Sequence, residues 1–217
     1  MDANEMIKAI VDKHEDVYGG DPLYNNAITR MAAIDLSNIN ESDVIGIVER
    51  FLYEWGGMGR VLGRVEYLGW QEKVAEIVKA DAENLKRFQK RIIENEELDD
   101  YKVEIVRLYE TFNGITRSTA SAKILNIICP NFFPLWDNAI ANAVRVELAH
   151  IKSYGFDKSV KVFSGGDYFR FMVGIKFFMV KHADIISSLS RQYHQKKLRI
   201  VDECLWSLAR RPFYLIF

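Results

Sequence analysis

Asp137 is the residue whose neighbours best fit it for chemistry. It is the only acid between Thr111 and Arg145, and it follows the apolar connector Phe132-Phe133-Pro134-Leu135-Trp136. A carboxylate in such surroundings is either a helix cap or a working group. As a cap it accepts backbone N–H bonds near Ala139 or Ile140 and stabilises the helix by about 1 kcal/mol. As a working group it stabilises positive charge that develops in a site drier than bulk water. The roles are compatible, because a capping acid can keep one oxygen for chemistry.

A second candidate lies upstream. The run Phe112-Asn113-Gly114-Ile115-Thr116-Arg117-Ser118-Thr119 reads as a helix end, a tight turn and a new helix start. Gly114 suits a left-handed cap, and Ser118 or Thr116 can cap the next helix. Exposed amides at that new start form a phosphate-sized anion site, with a plain turn between helices as the alternative. The glycine-rich segment from Glu54 to Arg64 holds Arg60 and Arg64 one helical turn apart. It could cradle a phosphate, but no strand precedes it and its spacing misses the nucleotide-loop patterns, so a helix-to-helix loop is the plainer reading. His14, His150, His182 and His194 are scattered and predict no metal site. Arg191, Tyr193 and Gln195-Lys196-Lys197-Leu198-Arg199 form a basic amphipathic stretch, either a solvated face or a nucleic-acid contact.

Helical periodicity runs through nearly the whole chain. Ile7, Ile10, Val11 and Val17 mark a first helix closed by Gly19-Gly20. Residues 23–36 mark a second; Asn40 or Ser42 caps a third that ends at Gly56-Gly57. Further helices are predicted over 70–79, 81–95, 99–112, 117–128, 137–150, 166–182 and 184–208, with the turn of a hairpin at Asn113–Thr116. Short strand candidates at Val160–Phe163 and Phe213–Phe217 have no evident partner. The expectation is an all-α fold, one compact helical domain over 1–217 with possible sub-domains at 1–97 and 98–217.

Composition bounds the function. A chain of 217 residues with 49% hydrophobic content can bury a sizeable core, and it has no apolar run long enough to span a membrane. Cys129 and Cys204 have no metal or disulfide spacing, and the acidic amphipathic start does not read as a secretory signal, so a cytoplasmic setting is expected. The net charge of −1 hides an asymmetry. Residues 1–150 carry 17 Lys/Arg and 25 Asp/Glu, whereas residues 151–217 carry 12 Lys/Arg and 5 Asp/Glu. A basic end can attract polyanions or be a solvated surface.

Gly114, Ile115, Thr119 and Ala120, followed 23 residues after the glycine by Asp137, together resemble the hairpin and acid of the helix-hairpin-helix DNA glycosylase superfamily. That family pattern is Leu-Pro-Gly-Val-Gly, two variable residues and Thr-Ala, then a connector ending in an Asp at a helix start. The resemblance covers about thirty residues, from 112 to 144. It implies a hairpin (Gly114, Ile115, Thr116, Arg117, Ser118 and Thr119) that grips a DNA phosphate; Arg60 and Lys123 are further candidate contacts read from the sequence. It implies a base flipped into a pocket beside Trp136, and Asp137 as the catalytic acid. Ser118 stands where strand-cutting members have a Lys, so the implied activity is base release without a lyase step, unless Lys123 substitutes. No cofactor or metal is implied. A helical protein that uses the same cleft for another ligand or partner is the alternative, and the oligomeric state is left open.

Overall fold

A computed structural model describes residues 2–137, 140 and 164–210. All regular structure among them is helical, with no strand. The two strand candidates, and the predicted helix over 137–150 apart from Asp137 and Ile140, lie outside the described residues.

Short-range polar residues start the helices where the sequence places them. Asp2 and Glu5 form a reciprocal cap on α1 (Ala3–Tyr18), and Asn40 and Asp43 do the same for α3 (Glu41–Asp43). Asp21 caps α2 (Pro22–Ala32), with Pro22 in the first turn. The chain continues from α3 in wider, π-type turns over Val44–Glu49 and Phe51–Trp55. There the Gly56 N–H reaches the Phe51 carbonyl at 2.9 Å, five residues back. A short α4 (Gly59–Leu62) carries Arg60, and α5 (Trp70–Ala80) and α6 (Ala82–Gln89) follow.

The predicted hairpin turn is in the wrong place. Helix α7 (Lys102–Thr116) runs without interruption through Asn113 and Gly114, and α8 (Ser118–Ile128) begins two residues after it ends. Arg117, at φ 71° and ψ 160°, makes the break. Glycine's freedom is a local argument, and packing overrides it here. Phe112 and Thr116 are buried on α7, Ile115 packs against the core, and the Thr116 hydroxyl donates back to the Phe112 carbonyl at 3.0 Å. Those contacts hold the helix past Gly114, at the modest cost of a glycine in a helix. A second correction falls on 184–208, which is two helices: α10 (Ala183–Gln192) and α11 (Lys197–Arg210), after α9 (Gly165–Lys181). His194, at φ 53°, lies at that break.

Buried side chains from Ile7 to Leu205 belong to one hydrophobic core. Helix α7 packs on α5, α8 and α9; α2 packs on α8; and α1 packs on α10 and α11. The apolar connector after α8 runs inside the protein. Phe132 stacks on Phe88 at 4.6 Å, and Trp136 packs edge-on to Phe171 at 4.3 Å. No helix among the described residues is long and apolar enough to cross a membrane.

Candidate functional site

The connector is rigidly tied, and that fixes Asp137. Asn126 donates to the Phe133 carbonyl at 2.7 Å, and the Tyr168 hydroxyl donates to the Pro134 carbonyl at 2.8 Å. Tyr24 in turn donates to Asn126 at 2.9 Å. At the end of this segment the half-buried Asp137 accepts the Ile140 N–H at 2.7 Å. That bond is the helix cap expected for an acid in this place. Asp137 also lines a cavity of about 500 Å³. Cap and cavity wall are one residue.

Lys123, Trp136 and Asp137 are the predicted site residues that meet in this cavity. Lys123 donates to the Gly56 carbonyl at 3.0 Å and lies over the Trp55 ring at 5.1 Å. Trp136 is 1% exposed, and its indole N–H has no acceptor among the described residues. The hairpin residues do not join them. Gly114, Ile115 and Thr116 are within α7, and Thr116 is fully buried. Their backbone is committed to α7, and the uncapped amides lie at the start of α8, from Ser118 onward. Arg117 pairs with Glu66 at 3.0 Å, hydrogen-bonds the Tyr67 hydroxyl and lies over its ring. Ser118 contributes its carbonyl to the Tyr109 hydroxyl at 3.1 Å, while Thr119 is partly buried in the first turn of α8. Arg60 is exposed on α4.

The rest of the cavity comes from the two ends of the described chain. Helix α1 supplies His14, Glu15 and Tyr18; α11 supplies Arg199, Asp202, Glu203 and Trp206. Arg199 is the hub. It is 7% exposed, pairs with Asp21 at 3.0 Å and Glu203 at 3.1 Å, and hydrogen-bonds Asp202. Its guanidinium lies over the Trp55 ring at 5.2 Å and the Tyr24 ring at 5.4 Å. Burial works against its charge, but the carboxylates of Asp202, Glu203 and Asp21 outweigh that and keep it protonated. Asp21 also takes the Trp55 indole N–H. Glu15 accepts from Gln195 at 2.6 Å and from the Gly20 N–H at 3.2 Å.

The two acids of α11 hold protons unusually well. Burial pushes the Asp202 carboxyl up to about 6, with Arg199 opposing and the charge of Asp137 adding to the rise. Burial pushes Glu203 up to about 8, again against Arg199, with help from the neighbouring carboxyl of Glu15. The Cys204 thiol is likewise pushed up to about 12 by burial, so it is no nucleophile at neutral pH. No group of His, Cys, Asp and Glu among the described residues is arranged to hold a metal ion.

Sequence reasoning missed Arg199, Asp202, Glu203, Glu15 and Asp21 as site residues. Arg199 stood in the basic stretch, read as a surface or a nucleic-acid contact; it faces inward instead. Its spacing to Asp202 and Glu203, three and four residues, was the available signal, since these polar groups sit between Ile200, Val201, Cys204 and Leu205 on a helix. Tyr193 and Lys197 of the same stretch bond Asp12 and Glu94. No protein-family model, curated protein or solved structure matches the chain.

Proposed function

We propose that this cavity receives a nucleobase extruded from DNA, and that Asp137 stabilises the positive charge on the sugar as the base is released by hydrolysis. The observation that carries this reading is the position of Asp137: a carboxylate oriented by the Ile140 N–H and a pinned connector, in the wall of an aromatic cavity of about 500 Å³. Glycosidic cleavage passes through an oxocarbenium-like state that a fixed carboxylate stabilises. The polar lining suits a base. The carboxyl groups of Asp202 and Glu203 supply acceptors for exocyclic amines, and Trp55 and Trp136 supply aromatic walls. Ser118 at the position of the family lysine supports release without a covalent imine.

A second reading has its own support. The wall is acidic, with Glu15, Asp21, Asp202 and Glu203 beside Asp137, and the amides of Gly114 to Thr116 are unavailable to a phosphate. Both features favour a protein that holds a different ligand in this cavity without chemistry.

Base release from a panel of damaged and mismatched duplexes, with heat and alkali to reveal abasic sites, separates the two. The expected result is release by the native protein and its near-complete loss in Asp137→Asn, with little change in melting temperature because Asn is itself a good cap. Borohydride should trap no adduct; a trapped one would point to Lys123. Release from no member of the panel supports the second reading, and release that survives Asp137→Asn removes that residue from the mechanism.

A further inference from the structure

We propose that the cavity is a binding site for a free, planar organic cation of the amidinium or guanidinium type. This goes beyond the base-release reading and does not rest on any contact with nucleic acid.

Three observations point to it. The lining carries Glu15, Asp21, Asp137, Asp202 and Glu203 against three basic side chains, His14, Lys123 and Arg199. Arg199 is already bonded within the protein to Asp21, Asp202 and Glu203, so the cavity keeps an excess of negative charge. The second observation is a carboxylate oxygen that lacks an N–H donor. Glu203 is 1% exposed, its Oε1 faces Arg199, and its buried Oε2 receives no N–H donor. The carboxyl group beside it is that of Glu15. Two facing carboxyls are compatible only by sharing a proton, and a bidentate N–H donor placed between them replaces that proton. The third is the wall itself. Trp55, Trp136, Trp206 and Tyr18 line the cavity, and Trp55 already takes both internal cations, Lys123 and Arg199, against its ring. A flat cation with several N–H groups matches both the acceptors and the aromatic faces. A compact ammonium uses the charge alone, and an anion meets a wall with more acids than cations.

The test is a calorimetric titration of the full chain at about pH 8 with benzamidine, its neutral isostere benzamide, and benzoate. Benzamidine should bind at least roughly tenfold more tightly than benzamide, and benzoate should not bind. Glu203→Gln should lower the benzamidine affinity by roughly tenfold or more and leave that for benzamide unchanged. Glu15→Gln, at a half-buried position, should act in the same direction, and it replaces Glu203→Gln if that variant shows no native circular dichroism. Equal affinity for benzamidine and benzamide overturns the proposal, as does an absence of benzamidine binding by natively folded protein. Base release tests Asp137 and benzamidine tests the Glu15–Glu203 pair, so either assay can fail while the other succeeds.

Discussion

Arg199 concentrates more interactions than any other side chain described above, and it does so almost out of reach of water. A buried arginine with three carboxylate partners is costly to desolvate, and removing it leaves three acids without their shared guanidinium, with Lys123 still acting on Asp202. Arg199→Met is expected to destabilise the protein by about 3–5 kcal/mol at pH 8 in a urea unfolding curve, and by less near pH 5, where the orphaned acids take up protons. Tyr24→Phe is a finer probe. It removes the donor to the buried Asn126 amide oxygen, which should cost about 1–3 kcal/mol and loosen the connector that carries Asp137. The cap at Asp137 was legible from sequence because it is local: a lone acid after an apolar run, at a helix start. The pairing of Arg199 with Asp21 was not, because Asp21 precedes it by 178 residues and nothing local announces which helices meet.

At the scale of elements, the join between α7 and α8 shows where local signals fail. Glycine at 114 promises a turn, yet the helix passes through it, and the chain bends at an arginine instead. The start of the third helix was readable because its cap is set by four consecutive residues, Asn40 to Asp43. Gly114→Ala decides between the two pictures. A methyl group there meets no heavy atom within 4 Å, and the backbone is helical. The variant should therefore gain about 0.5–1 kcal/mol in thermal or urea unfolding. A loss of stability would mean that residue 114 adopts the left-handed turn after all.

For the whole molecule, pH should act through the cavity before it acts on the surface. Glu203 and Asp202 bind protons more tightly in the folded state than carboxyls ordinarily do, so the unfolded chain releases them first as pH rises. Their contribution to stability is full at low pH and is lost between 3.8 and about 8. Asp81, held below the ordinary carboxylate range by its hydrogen bonds from Arg107, works in the opposite sense and contributes above that range. Melting temperature should therefore peak on the acid side of neutrality and fall toward pH 8, and Glu203→Gln should flatten the fall. The packing of α1 against α11 has a consequence for biosynthesis. The cavity needs Glu15 and Tyr18 from the first helix and Trp206 from the last described one. During synthesis α1 is made long before its packing partner α11, so the cavity can close only once residue 206 has been added.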